Sequence, residues 1–240
     1  MKLPSYQDAV FVLDPAAGLT DGNLWRDSGK RGLHWTPGAA YVAPNYGYAV
    51  STANGAPYVL AGGAANFLAT LADANQRARM YAAAPTTGMT FVLAQRFSVP
   101  TAADIVFGCL NAAATRGLQL DFATADRLRI VGRDGAGAAL SVSLTAAAPF
   151  TGPRTRVVIL SMDSTQGLAR AWLDGEGVGA AHAGSTNPVA YDDTVIPTLF
   201  ASVGGAVGYN DGQVFFAGWW PFVVSDSEAR VTSRWLLDRT

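Results

Sequence analysis

The chain has 240 residues, of which 50% are hydrophobic and 15% charged, a balance that favours one large folded domain and excludes a largely disordered chain. Its 17 basic and 18 acidic residues give a formal net charge of -1, which does not suit a nucleic-acid-binding protein. The single cysteine, Cys109, excludes an internal disulfide, and its apolar neighbours predict a buried position.

The first 87 residues contain short strand candidates at 10–13, 49–51 and 57–60 and otherwise read as loop. Residues 1–8 contain a proline and polar residues where a cleavable signal peptide has its apolar stretch. No apolar run approaches the ~20 residues that cross a bilayer. We therefore expect no signal peptide, no membrane insertion and synthesis in the cytoplasm, with the virion surface as one final location.

From about residue 88 onward, short apolar runs alternate with Gly, Pro, Asn or Asp, a spacing typical of an all-β sandwich. Asp-Gly pairs at 134–135 and 174–175 predict hairpin turns between such runs. The predicted strands are 89–99, 105–110, 117–123, 128–132, 140–144, 156–162, 168–174, 199–203 and 213–224.

Alternation along these runs indicates which faces are buried. In 118–122 and 127–130, Gln, Asp and Arg alternate with aliphatic or aromatic residues, which predicts strands with one solvent-exposed face. Residues 157–160 and 214–220 are apolar on both faces. They are predicted to be central strands, covered by the second sheet on one side and by a loop or helix on the other.

Only the end of the chain has a helical pattern. Ser225 and Glu228 form the capping-box sequence that starts a helix, predicted over about 226–238, with Val231 and Trp235 packed against the sandwich. The predicted fold is therefore all-β: a single antiparallel β-sandwich domain of jelly-roll type over residues 1–240, closed by a short C-terminal helix.

The order of the motifs resembles the concanavalin A-like lectin/glucanase superfamily, and within it the laminin-G-like branch. The resemblance rests on an early Asp27-Ser28-Gly29 loop, a strand at 156–163 that leads into a 168–176 hairpin ending in Asp-Gly, a late strand at 212–218 and the closing helix. It spans about 10–238. It implies a concanavalin A-like sandwich, a fold that serves lectins, glucanases, receptor modules and virion parts.

Glucanases of this superfamily need paired carboxylates in a Glu-x-Asp-x-x-Glu run. The whole chain has two glutamates, Glu176 and Glu228, and neither lies in such a run. We therefore predict no catalytic residues and no enzyme activity, with a paired-aspartate mechanism left open. No cofactor is expected other than calcium, for which Asp192 and Asp193 are the candidate ligands; a solvated turn is the alternative interpretation of that pair.

Sugar binding typically uses aromatic side chains beside amides and carboxylates. Two predicted loops carry such groups, and they supply the candidate ligand-binding residues Tyr46, Tyr48, Tyr209, Asn210 and Asp211. Tyrosines that cover the rim of the core are the alternative interpretation.

The sequence thus favours a non-catalytic, lectin-like carbohydrate-binding module on the surface of a phage or phage-like virion, with a host glycan or polysaccharide as partner. The alternative is a structural domain that assembles with neighbouring virion subunits or with itself through an exposed apolar face. Glycoside hydrolysis ranks below both.

Overall fold

The structure is a computed structural model that describes residues 5–17, 26–35, 48–50, 56–61, 71–97, 104–145, 150, 154–200 and 212–240. These residues form two antiparallel β-sheets, two α-helices and two 3-10 helices, Tyr6–Asp8 and Pro15–Ala17. The helices are α1 (Ala74–Ala83) and α2 (Asp226–Leu237). The strands are β1 (Phe11–Leu13), β2 (Tyr48–Val50), β3 (Pro57–Ala61), β4 (Gly88–Phe97), β5 (Ile105–Gly108), β6 (Arg116–Thr124), β7 (Arg127–Asp134), β8 (Ala139–Thr145), β9 (Arg156–Asp163), β10 (Leu168–Leu173), β11 (Glu176–Val178), β12 (Ala180–Gly184), β13 (Thr198–Leu199) and β14 (Gly212–Trp220).

The two sheets pack face to face as a β-sandwich. The first has eight strands, in the order β11-β10-β9-β4-β14-β3-β2 with β1 also paired to β14, and the second has six, in the order β12-β8-β7-β6-β5-β13. Each of the nine predicted runs contains a strand, although the 199–203 run is described only up to residue 200. The predicted β-sandwich with a C-terminal helix is confirmed. A single domain over 1–240 stays a prediction.

Strands β9 and β14 lie inside the eight-stranded sheet and are buried on both faces, as their sequences predict. Val158, Leu160 and Trp219 point into the core between the sheets. Ile159 and Trp220 belong to a second apolar cluster on the opposite face, which includes residues of α2. The eight-stranded sheet is therefore covered on its outer side, where the helix replaces solvent.

Gly218 is required where the outer face of β14 is most crowded. The rings of Phe216 and Trp220 stack at 6.2 Å with an interplanar angle of 11°. A Cβ atom on Gly218 would lie 2.5 Å from the Trp220 ring and 3.2 Å from the Phe216 ring, inside van der Waals contact. Only glycine therefore lets the two rings meet across it.

Helix α2 begins at the predicted capping box. The Ser225 hydroxyl accepts a hydrogen bond from the Glu228 backbone N–H at 3.3 Å, and the Glu228 carboxylate accepts one from the Ser225 N–H at 2.8 Å. Trp235 packs edge-on against Phe216, as predicted. Val231 does not lie on the packed side: the buried residues of the helix are Ala229, Thr232, Ser233 and Leu236.

The prediction that only the chain end is helical is wrong, because α1 is a second helix. Asp73 caps it by accepting the Gln76 N–H at 2.8 Å, and Met80 is its only buried residue. A short helix whose apolar residues are mostly alanines lacks the stripe of large apolar residues that periodicity detects. The α1 residue Gln76 also accepts the His34 N–H at 2.7 Å, which ties the helix to the early loop.

The early Asp-Ser-Gly loop is organised by its aspartate. Asp27 is 7% exposed and its carboxylate accepts the backbone N–H groups of Val12, Gly29 and Leu33 at 2.8 to 3.0 Å. Three such bonds fix the loop against β1, because each satisfies a donor that would otherwise be buried without a partner. The motif on which the family resemblance depends is therefore structural in this chain.

Neither described helix, with 10 and 12 residues, is long and apolar enough to span a lipid bilayer.

Candidate functional site

The outer face of the six-stranded sheet carries a set of polar side chains from three neighbouring strands. Strands β6, β7 and β8 alternate between buried aliphatic or aromatic residues, which point into the core, and polar residues, which point outward. We call the outward set the polar face. Its members are Gln119, Asp121, Arg127, Arg129, Val131, Arg133, Ser141 and Ser143.

The strand register arranges this face in rows across the sheet. Asp121 on β6 pairs with Arg129 on β7, which pairs with Ser143 on β8, and Ser143 pairs with Ala181 on the edge strand β12. A parallel row runs from Gln119 through Val131 and Ser141 to Ala183. In these two rows the side chains of β8 and β12 are serine and alanine, whereas β6 and β7 carry longer side chains such as Arg129 and Gln119.

A charged pair anchors the first row. The Arg129 guanidinium donates from Nε to Asp121 Oδ1 at 2.6 Å and from Nη2 to Asp121 Oδ2 at 3.1 Å. Gln119 donates from Nε2 to Oδ2 of the same carboxylate at 2.6 Å. The hydrogen bonds to Asp121 raise the pKa of the Arg129 guanidinium. The ion pair therefore fixes the Nε–Nη2 edge of the Arg129 guanidinium, and its other N–H groups stay available to a ligand.

The prediction that the strands at 118–122 and 127–130 each have one solvent-exposed face is thus only partly correct. Arg129 keeps 38% of its side-chain surface exposed and Arg127 is exposed, but Asp121 is 1% exposed. Alternation alone places Asp121 on the outer face; it becomes buried because the guanidinium of Arg129 and the amide of Gln119 lie over it.

Other groups of the polar face keep unused hydrogen-bonding capacity. Within the described part of the chain, the half-exposed hydroxyls of Ser141 and Ser143 make no hydrogen bond. Arg133 is partly buried: it donates from Nη1 to the carbonyl of Gly137 at 3.1 Å, and its Nε is buried without a hydrogen-bond partner. The serine hydroxyls can therefore offer both a donor and an acceptor to a ligand.

A groove lies on the other side of the molecule, beside α2. This groove of about 400 Å3 separates the β10–β11 turn from α2, a volume within the range of small-ligand sites. Asp174 on its wall forms an ion pair with Arg156, with 2.9 Å between Asp174 Oδ2 and Arg156 Nε, and accepts the Val157 N–H at 2.8 Å. The residues that line the groove are Asp174, Gly175, Glu176, Arg230, Val231, Arg234, Leu237 and Asp238.

The groove offers a weaker site than the polar face. Glu176, Arg230, Arg234 and Asp238 are exposed, so their positions are not fixed by packing. A site gains specificity when its polar groups are held by neighbours, as Asp121 holds Arg129. The groove does explain the misassigned Val231, which lines it instead of packing on the sheet.

Most of the predicted sugar-binding residues cannot be compared with the structure. Tyr46, Tyr209, Asn210 and Asp211 lie outside the described residues. Tyr48, predicted in a loop, begins strand β2 and pairs with Val59 of β3. Their role in binding stays a prediction, and nothing described brings them into contact with the polar face.

The candidate calcium ligands lie in a turn after β12. Asp192 Oδ1 accepts the Thr194 N–H at 3.1 Å and the Thr194 hydroxyl at 2.6 Å, and these bonds lower the pKa of Asp192. Asp193 is exposed. Among the described residues, no three His, Cys, Asp or Glu side chains cluster as metal ligands would. The geometry accounts for Asp192 as a turn-forming residue, and calcium at this pair stays a prediction.

The two glutamates occupy unrelated positions. Glu176 begins the edge strand β11, and Glu228 is engaged in the α2 capping box. They do not form the one-strand carboxylate pair of a glucanase. Two histidines are also separated: His34 accepts the Asp27 N–H in the early loop at 3.3 Å, and His182 lies on β12.

No family model and no curated protein matches this chain at the sequence level. Solved structures do match its fold. A carbohydrate-binding module of Ruminococcus gnavus IT-sialidase, bound to α2,3 sialyllactose, has 16% identity and a TM-score of 0.48 over 62% of this chain and 84% of its own.

Two botulinum neurotoxin structures align over nearly the whole chain. The binding domain of botulinum neurotoxin DC, in complex with rat synaptotagmin II, has 8% identity and a TM-score of 0.59 over 96% of this chain. A type C toxin structure, described by the dependence of cell entry on two ganglioside molecules, has 6% identity and a TM-score of 0.61 over 96% of this chain. The chain spans 52% of each toxin chain. At these identities the likeness concerns the β-sandwich fold alone.

Proposed function

We propose that this chain is a non-catalytic glycan-binding module whose binding surface is the polar face of the six-stranded sheet. The observation that carries the proposal is the arrangement on β6 to β8, where a fixed guanidinium stands beside two free serine hydroxyls. Sugars present hydroxyls that both donate and accept hydrogen bonds, so they match a surface that offers both.

The contrast between the two sheets supports the choice of face. The outer side of the eight-stranded sheet is filled by Trp172, Phe216 and Trp220, which are buried under α2. The outer side of the six-stranded sheet keeps Arg129, Ser141 and Ser143 partly exposed. The structurally similar domain of botulinum neurotoxin DC is a binding domain by description, in agreement with a non-catalytic role.

The assembly alternative needs an exposed apolar face. Among large hydrophobic side chains in the described part of the chain, only Ile196 is exposed, at 39%. A stable subunit interface needs a much larger apolar core than one side chain provides. The virion surface, the host glycan and the laminin-G-like branch stay proposals that depend on the sequence pattern.

The test is a glycan array with the intact chain and two variants. Ser143→Tyr places a bulky ring on the polar face at a partly exposed position with no described hydrogen bond to lose. Gln166→Tyr adds the same ring to the exposed β9–β10 turn and is the matched control. We expect the wild type and the control to bind the same glycans and Ser143→Tyr to lose them.

A folded wild type that binds no glycan would refute the function. A Ser143→Tyr variant that binds as well as the wild type would move the site away from the polar face. Size-exclusion chromatography of the same samples checks the assembly alternative, which requires a stable oligomer.

A further inference from the structure

The polar face carries three arginines in a line along one strand. Arg127, Arg129 and Arg133 occupy outward positions of β7, with Val131 completing the alternation. Because a strand rises about 3.3 Å per residue, the backbone positions of the outer two arginines lie roughly 20 Å apart. The positive groups therefore form a row along the strand instead of a single cationic spot.

Most of this positive charge has no compensating carboxylate. At the outward positions of the six-stranded sheet, Asp121 is the only acidic residue that the strand register places there, and it is committed to Arg129. No carboxylate oxygen of a described residue lies within 4.0 Å of the guanidinium nitrogens of Arg127 or Arg133. The strand positions of the polar face thus carry three arginines and one aspartate, in a chain whose formal net charge is -1.

The acidic residues in the adjoining turns are engaged elsewhere. Asp126 accepts the Thr124 hydroxyl at 2.5 Å. Asp134 accepts Asn187 Nδ2 at 2.8 Å together with backbone N–H groups of its own turn, and these bonds, that of Asn187 foremost, lower its pKa. Each carboxylate stabilises a turn, and neither neutralises the neighbouring arginine within ion-pair distance.

The three guanidinium groups differ in how firmly they are held. Asp121 fixes Arg129, the Gly137 carbonyl holds one end of Arg133, and Arg127 is exposed and free to adjust. Guanidinium groups bind carboxylate and sulfate oxygens through paired N–H donors. The serine hydroxyls of β8 run beside this row and suit the neutral hydroxyls of the same ligand.

We infer that the ligand of the polar face is an acidic polysaccharide, a linear glycan whose carboxylate or sulfate groups pair with Arg127, Arg129 and Arg133 along β7. This inference rests on the proposed function and adds the chemical class of the glycan. The formal net charge of -1 over the whole chain disfavours nucleic acid as the polyanion.

The experiment measures binding of the intact chain to heparin, polygalacturonate, neutral dextran and single-stranded oligothymidylate by isothermal titration calorimetry at several salt concentrations. The variants are Arg127→Ala and the double change of Arg127 and Arg133 to alanine. Arg170→Ala is the matched control, because Arg170 is an exposed arginine on β10 of the other sheet.

We expect heparin or polygalacturonate to bind, affinity to fall as salt rises, and each lost arginine to weaken binding about tenfold, with no loss for the control. Equal binding of dextran, unchanged in the double variant, would overturn the acidic class and leave glycan binding intact. Binding of oligothymidylate as tight as that of the acidic glycans would overturn the glycan class. No loss in the double variant would overturn the arginine row.

Discussion

The pair formed by Arg129 and Asp121 makes an asymmetric prediction about stability. The side chain of Arg129 is 38% exposed, whereas that of Asp121 is 2% exposed. The loss in the free energy of unfolding depends on which partner remains after a substitution. A charge that stays buried has lost its counter-ion and is poorly hydrated, whereas an exposed charge is hydrated. Removing the exposed partner should therefore be more harmful than removing the buried one.

The magnitudes follow from what each variant leaves behind. Arg129→Ala removes two charge-assisted hydrogen bonds from Asp121 and admits water only on the side of the carboxylate that the guanidinium had covered, and we expect a loss of about 2–3 kcal/mol in the free energy of unfolding. Asp121→Ala leaves a guanidinium that can turn to water, with an expected loss of about 1–2 kcal/mol. The double variant should lose less than Arg129→Ala alone, because no charge is then buried.

Urea unfolding at pH 7, followed by tryptophan fluorescence, measures these differences at constant m-value. Arg127→Ala is the control on the same strand and should stay within about 0.5 kcal/mol of the wild type, since the side chain is exposed and makes no described ion pair. Equal losses in the two single variants, or a larger loss in Asp121→Ala, would contradict the burial argument.

Three further predictions concern the fold. Gly218→Ala should lower the free energy of unfolding by about 1–3 kcal/mol, because the new methyl group would overlap a stacked ring. Gly177→Ala is the control and should cost much less, since its Cβ atom would lie 3.9 Å from the nearest atom. Urea unfolding midpoints compare the two variants, and equal costs would contradict the crowding at Gly218. Hydrogen bonds from Ser225 lower the pKa of Glu228, so the stabilisation that this carboxylate gives is present above its unfolded pKa and is lost as pH falls through the lower folded value. Glu228→Gln should thus be less stable than the wild type at pH 7, with a gap that narrows below pH about 4; a gap independent of pH in thermal melts would refute the assignment. Burial raises the pKa of the Cys109 thiol to about 12, so a thiol reagent at pH 8 should label it only after unfolding, and rapid labelling of the folded chain would disprove its burial.

Sequence pattern was sufficient for the strands that bury one or both faces, whereas β11 and β12, which have no buried residue, were not predicted. The alternation of 127–130 and the two-sided apolar run of 214–220 correspond to an outer strand face and a doubly covered central strand. The helix α1 was missed because it contributes one buried residue, Met80, and so leaves no periodic signal. Pattern reasoning detects an element through the surface that it buries, and α1 buries little.

The candidate site was only half predictable. The sequence showed that arginines alternate with aliphatic residues on one strand, but the predicted sugar site was in the tyrosine-bearing loops. Four of the five residues predicted there lie outside the described part, and their role stays a prediction. The pairing of β6, β7 and β8, which joins Asp121, Arg129 and Ser143 in one row, depends on strand register, and no spacing along the chain encodes it.

The amino-acid sequence by itself determined the fold class, the central strands, the hairpin turns and the capped C-terminal helix, because these follow from local propensity and from the period of apolar residues. The tertiary structure decided which sheet is covered and which is open, where the α2 helix packs, and that Asp121 is buried beneath Arg129. Those features depend on contacts between residues distant along the chain, and such contacts exist only once the two sheets have packed together.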